Sequence, residues 1–204
     1  MAVTADAVKQ LRERTGAGMM ECKKALVETN GDLDAAAELM RKSGLAKADK
    51  KAARVAAEGV VVIERSADAK RAAIVEVNCE TDFVAREGDF KAFAASVAKA
   101  ILTQGPATPE ALLEAKLDGG ATLDEARRAL IAKLGENISV RRFVVVESAA
   151  VVGAYLHGSR IGALVAMRSG DDTVAKDIAM HVAAINPPYL TYMEIGRASC
   201  RERV

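Results

Sequence analysis

The segment 78–86, NCETDFVAR, combines residue types suited to binding another protein. Asp82 lies beside Phe83 in a chain that has only four Phe, three Tyr and no Trp. An apolar strand pattern (72–77) precedes the segment and a helix pattern follows from Asp89, so the default expectation is a surface loop. Two interpretations of Phe83 stay open. It packs under the following helix, or it is a wedge that inserts into a partner protein.

Other reactive residue types show no spacing typical of catalysis. Neither histidine, His157 or His181, stands in a metal-binding pattern such as HExxH. His181 falls in an Ala- and Val-rich helix pattern, which favours a structural histidine. The chain has no GxSxG or phosphate-binding loop sequence, and its carboxylates form no obvious pair. We therefore predict that the chain is not an enzyme, has no cofactor or metal, and does not itself bind a nucleotide.

Composition narrows the classes of partner. The 204 residues include 29 basic and 28 acidic ones, for a net charge of +1, so no global field attracts nucleic acid or acidic lipid. No apolar run reaches the ~20 residues needed to span a bilayer, and the N-terminus lacks a signal-peptide pattern. The three cysteines form no CxxC motif, which fits a reducing compartment. We expect a soluble, cytoplasmic protein with no nucleic acid or membrane as partner.

The first 52 residues predict a small module of three helices. Thr4 caps the first helix, Met19 begins the second after two glycines, and Asp32 caps the third. Gly44 is expected to end the third helix as its C-cap. The basic residues that follow, Lys47, Lys50, Lys51 and Arg54, are expected on the solvated face of a helical linker.

In the second helix of this module, four residues are candidates for the buried side: Met20, Cys22, Leu26 and Val27.

Beyond residue 53, two stretches repeat one pattern of two strands and a helix. The first has strands at 60–63 and 72–77 and a helix at 89–102, and the second has strands at 151–156 and 161–167 and a helix at 172–185. This pattern predicts an internal duplication. In the second copy the short connection 169–171 replaces residues 81–86, so the first copy carries a segment that the fold does not need.

Between the two copies, the sequence predicts two further helices and a strand. Thr108 caps a short helix that Pro109 begins, and Thr122 with Glu125 forms a capping box for a longer helix. The β-branched stretch 139–147 then predicts a strand.

Two segments carry a resemblance to a known family. Residues 11–26, LRERTGAGMMECKKAL, and 78–84, NCETDFV, resemble the two signatures of bacterial translation elongation factor Ts, in the family's order and at about its distance. Segments 133–143, 157–162 and 178–184 are also similar to the family. The resemblance covers about residues 1–191, and we expect a truncated chain with an unrelated tail at 192–204.

The resemblance implies an α+β fold in which a UBA-like three-helix module (1–52) precedes a core of two duplicated antiparallel hairpin-plus-helix subdomains (53–148 and an incomplete 149–191). It also implies a guanine nucleotide exchange factor that binds elongation factor Tu·GDP, disrupts the Mg²⁺ and nucleotide site, and promotes GDP release during translation elongation. Exchange factors do no covalent chemistry. They bind the GTPase better when its nucleotide site is distorted.

Site residues follow from the same resemblance. The motif that intrudes into elongation factor Tu and dislodges its Mg²⁺ would be Thr81, Asp82, Phe83 and Val84. Partner-binding candidates are Arg12, Met19 and Met20 in the module, with Met20 equally a candidate for the module core, and the weaker candidates His157 and Gly158. An alternative is a non-enzymatic module that binds another protein or RNA through the three-helix domain. A third is an inert fragment with an exposed apolar face.

Overall fold

The computed structural model describes the backbone of residues 3–188 and the side chains of these residues except 45–50. The predictions for the side chains of Lys47 and Lys50 and for the segment 192–204 lie outside the described residues. None of the helices in the described part of the chain is long and apolar enough to cross a membrane. The elements in chain order are α1 (Ala5–Thr15), α2 (Met19–Glu28), α3 (Leu33–Lys51), β1 (Glu58–Arg65), β2 (Arg71–Cys79), α4 (Asp82–Arg86), α5 (Gly88–Gln104), α6 (Pro109–Leu113), α7 (Leu123–Leu134), β3 (Ser139–Glu147), β4 (Val151–His157), β5 (Ile161–Met167) and α8 (Asp172–Ile185).

The first three helices form a module with a small core, as predicted. The Thr4 hydroxyl accepts a hydrogen bond from the N–H of Ala7, and the Asp32 carboxylate accepts from the N–H groups of Asp34 and Ala35. These caps satisfy N–H groups that have no partner inside their own helices. The buried side chains of the module are Val8, Leu11, Cys22, Ala25, Leu26 and Ala36.

Two of the residues predicted to be buried in α2 are exposed. Cys22 and Leu26 are fully buried, whereas Met20 is 76% exposed and Val27 is 59% exposed. The buried stripe of α2 is narrow because the module is small, and it follows the spacing of Cys22, Ala25 and Leu26. Met20 and Val27 lie off this stripe.

The prediction that Gly44 ends α3 is wrong, because α3 continues to Lys51. A Cβ atom on Gly44 would lie only 3.2 Å from the Cβ atom of Ala132 in α7. The glycine therefore serves the close approach of two helices and not a helix end. The predicted helical linker is the C-terminal part of α3 itself, so the module is joined to the rest of the chain through a packed helix.

The central sheet has the antiparallel order β1-β2-β3, and α5 covers one of its faces. Side chains alternate between the two faces of a strand, so Val75 and Val77 of β2 point toward α5. Phe90 and Phe93 of α5 are buried in the same core. The predicted capping box of Thr122 with Glu125 at the start of α7 is confirmed.

A bulge in β3 lies next to a cluster of opposite charges. The pairing of β2 with β3 shifts between Glu76 and Val77, which leaves Arg141 as an extra residue. Arg142 and Arg141 both donate to the Glu76 carboxylate, at 2.6 and 3.1 Å. Burial works to raise the pKa of Glu76, but these two arginines lower it below its ordinary value. The bulge turns both arginines toward one carboxylate and changes the direction of the strand.

The second unit, β4-β5-α8, packs on the opposite face of the central sheet. A Cβ atom on Gly162 of β5 would lie 2.7 Å from Ile74 Cδ1 in the sheet, and one on Gly153 of β4 would lie 2.1 Å from the carbonyl oxygen of Ala175 in α8. The hairpin is thus held closely between the sheet and α8, and at Gly153 an added Cβ atom would overlap the backbone of α8. Each unit is an antiparallel hairpin covered by a helix, so the predicted α+β fold is confirmed.

The two units differ in how much apolar surface they bury. Helix α5 buries seven side chains, whereas α8 buries Ala175 and Ala179. His181 is exposed on α8, so its prediction as a structural histidine is wrong, because the buried stripe of α8 is too narrow to include it. Large apolar side chains of this unit are exposed at six positions: Leu156, Ile161, Val174, Ile178, Met180 and Ile185.

We predict that Gly153→Ala destabilises the fold by about 1–3 kcal/mol, because the new methyl group overlaps the backbone of α8. The matched control is Gly119→Ala, where an added Cβ meets nothing within 4 Å and stability should change by less than about 0.5 kcal/mol. Urea unfolding followed by far-ultraviolet circular dichroism measures both. Equal midpoints for the two variants would contradict the sandwiched position of the hairpin.

Candidate functional site

The segment expected to be a loop contains the short helix α4, in which Phe83 points outward. The Thr81 hydroxyl caps this helix by accepting from the N–H of Val84 at 3.4 Å. Val84 and Ala85 are buried, whereas Phe83 is 78% exposed. One helical turn therefore directs Val84 into the core and Phe83 into solvent. The interpretation in which Phe83 packs under the following helix is wrong.

Asp82 and Phe83 form what we call the tip. The Asp82 side chain is 41% exposed, and its carboxylate pairs with Arg86 one turn later at 2.8 Å. Such exposed pairs contribute little to stability, so Asp82 remains available to another cation or donor. The tip thus offers a large apolar surface directly beside a carboxylate.

The Glu136 carboxylate holds the backbone that leads into the tip. It accepts hydrogen bonds from the N–H groups of Glu80 and Thr81, at 3.1 and 3.0 Å, and from the Thr81 hydroxyl at 2.6 Å. Glu136 is half-buried in the turn between α7 and β3. Residues 135–137 are called the anchor turn below.

The anchor turn is bound in return by its neighbours. The Glu80 carboxylate accepts from the N–H of Asn137 at 2.6 Å, and the Asn137 side chain donates to the carbonyl oxygens of Ala52 and Arg54. The prediction that Lys51 lies on a solvated face is wrong, because the side chain is half-buried and its ammonium donates to the Gly135 carbonyl at 2.6 Å. The anchor turn therefore connects the end of the N-terminal module to the start of α4.

Cys79 lies directly beneath this connection and is fully buried. Its thiol donates to the carbonyl oxygen of Thr81 at 3.2 Å. Burial, and then the negative charge of Glu136, raise the pKa of the Cys79 thiol to about 11. This cysteine is held in its neutral form and is a structural group and not a nucleophile.

The module candidates lie on exposed surface. Arg12 is exposed, Met19 is 47% exposed and Met20 is 76% exposed, so Met20 is not part of the module core. A Cβ atom on Gly16, in the turn before Met19, would lie 3.5 Å from Cδ of Lys133.

Lys133 in turn pairs with Asp89 in the first turn of α5, just after α4. These contacts bring the corner between α1 and α2 to the side of the core that carries the tip.

The other candidates are exposed, His157 at the end of β4 and Gly158 in the turn between β4 and β5. This turn is fixed to β1, because the N–H of Val61 donates to the carbonyl oxygen of Ser159 at 2.7 Å and Arg160 pairs with Glu58. Glu58 lies opposite Cys79 in the ladder of β1 and β2. The turn therefore lies at the end of the sheet from which the tip emerges.

Three residues that hold the tip were not among the predicted site residues: Glu80, Glu136 and Asn137. Glu136 and Asn137 fall in the segment 133–143, whose resemblance to the family was the one signal that could have pointed to them. Nothing in their spacing from residue 81 shows that they meet it, because the contact joins residues 55 positions apart.

Fold and site together define a class: a helical module joined to a two-unit α+β core, with an exposed apolar and acidic tip at the end of its central sheet. Comparisons with known proteins identify the family to which this class belongs. The chain belongs to the elongation factor Ts family, whose family model matches residues 80–203. The matched range runs through 192–203, where we expected no resemblance.

Curated relatives support the same family. The chain is 58% identical over 197 residues to an elongation factor Ts from Hydrogenovibrio crunogenus, covering 97% of this chain and 67% of the relative. It is 61% identical over 189 residues to one from Thioalkalivibrio sulfidiphilus, with 92% and 64% covered. For one from Xanthomonas oryzae pv. oryzae the identity is 57% over 195 residues, with 96% and 66% covered. The chain thus spans about two thirds of the length of these relatives.

We predict that Cys79 reacts with iodoacetamide at pH 8 at least about 100-fold more slowly in the native chain than in the chain unfolded in urea, because the rise of its pKa from 9.0 to about 11 lowers the thiolate fraction by that factor. Mass spectrometry of the peptide that contains Cys79 measures the labelling without any substitution. Similar rates in the two states would show that the strand end beneath the tip is open.

Proposed function

We propose that this chain is a guanine nucleotide exchange factor for elongation factor Tu. Elongation factor Ts is the exchange factor of elongation factor Tu, and the family membership of this chain supports the same role. The observation that carries the proposal is the 78% exposure of Phe83 on a helix whose neighbouring residues are buried and hydrogen-bonded. Such a factor acts in the cytoplasm, where translation takes place.

The proposed mechanism is a linkage between two binding events. The chain binds elongation factor Tu more tightly when the nucleotide site is distorted, so binding shifts the equilibrium toward the form that releases GDP. No covalent bond is made or broken by the chain. The coupling is reciprocal, and rebinding of a nucleotide then releases the exchange factor.

The tip supplies the intruding group. In a GTPase the switch segments pack around the Mg²⁺ that bridges the phosphate oxygens, so a side chain driven between them displaces the ion's surroundings. Burial of Phe83 in the partner recovers about 1.5–3 kcal/mol of the apolar transfer energy that the free chain leaves unrealised. The Asp82 carboxylate beside it offers a charged acceptor to the displaced segments. Thr81 caps the tip helix and Val84 anchors it in the core.

Further contacts to the GTPase domain are proposed for Arg12, Met19 and Met20, and weaker ones for His157 and Gly158. All five are exposed, and methionine side chains adapt well to a partner's surface. Gly16, before Met19, lies against the side chain of Lys133, which pairs with Asp89 just after the tip. Arg160, just after Gly158, pairs with Glu58 at the same end of the core. A single partner surface can therefore meet the module, the tip and the turn.

We predict that Phe83→Ala lowers the acceleration of GDP release from elongation factor Tu by about 10- to 100-fold, because about 1.5–3 kcal/mol of apolar burial is lost. Release of a fluorescent GDP analogue measures the rate. The free energy of unfolding should change by less than about 0.5 kcal/mol, since the side chain is exposed in the free chain.

The matched control is Val55→Ala, which removes an apolar side chain that is 83% exposed and lies outside the tip. It should leave the release rate near that of the parent. An equal rate for Phe83→Ala and the parent would refute the tip as the intruding group. It would favour the alternative, in which binding needs the three-helix module alone.

A further inference from the structure

We propose that Glu136 is a positioning residue for nucleotide exchange: its carboxylate sets the direction of the tip by fixing the two residues before α4. This inference rests on the proposed function and assigns to it a residue of the anchor turn that does not reach the exposed tip. The three hydrogen bonds that it accepts are the observation behind it.

The short helix α4 cannot hold its own direction. It has five residues, and an isolated helix of that length is unstable in water because its nucleation is costly. Its direction is set by contacts with the core and with the anchor turn. Val84 and Ala85 pack into the core on one side, and the Glu136 carboxylate holds the N–H groups of Glu80 and Thr81 on the other.

The Thr81 hydroxyl joins this support to the cap of the helix. A hydroxyl has one proton to donate and lone pairs to accept with. Thr81 donates its proton to Glu136 at 2.6 Å, which leaves a lone pair for the N–H of Val84 at 3.4 Å. An ionised acceptor strengthens the first bond and fixes the rotation of the hydroxyl. The charge on Glu136 therefore orients the Thr81 cap. Through this cap it also orients Phe83, which lies between Thr81 and Val84.

The anchor turn is itself held rigidly, so it can act as a support. Gly135 has a left-handed backbone with φ of 82° at the end of α7, a conformation that favours glycine. Asn137 donates through its backbone to Glu80 and through its side chain to the carbonyl oxygens of Ala52 and Arg54, just after α3. Lys51 holds the carbonyl of Gly135. The module and the tip thus share one support, which fixes the positions of two proposed partner contacts relative to each other.

The test compares Glu136→Gln with the parent in two assays. The first is amide hydrogen exchange of the free chain, read by mass spectrometry at residues 80–84, which needs no partner. The second is GDP release from elongation factor Tu over a range of chain concentrations, which separates the maximal rate from the half-saturating concentration. The matched control is Glu147→Gln, which removes an ion pair with Arg71 at the far end of β3.

Glutamine keeps the shape of Glu136 but cannot accept from all three donors, since its amide nitrogen only donates. We expect exchange at residues 80–84 to rise at least about tenfold, as for the loss of charge-assisted hydrogen bonds, with the rest of the core unchanged. The maximal release rate should fall at least about tenfold, while the half-saturating concentration changes less than about threefold. The control should match the parent in both assays.

A double-mutant cycle adds a second variant. Thr81→Val removes the hydroxyl, and its effect on the maximal rate should be smaller in the Glu136→Gln background, because the hydrogen bond that joins the two groups is already changed there. Additive effects would overturn the positioning role.

The remaining outcomes separate this inference from the proposed function. A parent chain that does not accelerate release would overturn the exchange function and with it any role of Glu136 in exchange. An active parent with an equally fast Glu136→Gln variant would overturn the positioning role alone. A rise in half-saturating concentration at an unchanged maximal rate would make Glu136 a binding residue and overturn it too. Faster amide exchange throughout the core would show a general structural role, with the same consequence.

Discussion

The reciprocal hydrogen bonding between residues 80–81 and the anchor turn is the interaction on which the arrangement of the site depends. Glu136 accepts from the backbone of Glu80 and Thr81, and Glu80 accepts from the backbone of Asn137. Each carboxylate thereby satisfies N–H groups that irregular backbone leaves without partners. Because Asn137 and Gly135 also bind the end of the module, three parts of the chain that are distant in sequence meet at one turn.

Small side chains set the geometry of the rest of the core. Gly44 allows α3 to approach α7, Gly153 allows α8 to approach β4, and Gly162 allows the second hairpin to lie on the central sheet. Interiors are closely packed, so a missing Cβ atom at such a contact decides how near two elements can come. The second unit is bound tightly at these points while several of its larger apolar side chains remain exposed. The two units therefore share the order hairpin and then helix, and they differ in how much apolar surface they bury.

An exposed phenylalanine on a rigid support leaves apolar surface that only a binding partner can bury. The free chain does not bury Phe83, so its apolar transfer energy becomes available only in a complex. Rigid support from the core and the anchor turn would lower the entropy lost in the proposed docking of the tip. In the second unit only residues 168–171 connect β5 to α8, so a hairpin and a helix of this kind can be joined without a tip.

Local signals in the sequence determined most elements, since caps, alternation and helical periodicity act over a few positions. The motif from Thr81 to Val84 was predicted from the family resemblance. Thr4, Asp32, Thr108 and Thr122 cap helices where their types predict. The tertiary structure decided which apolar side chains are exposed, as at Met20, Val27 and Phe83, because burial depends on which elements lie opposite. It also decided that Gly44 is a helix contact and not a cap, and that Glu136 holds the tip. Neither could be predicted from spacing, because both depend on contacts between segments that are far apart in sequence and brought together only when the chain folds.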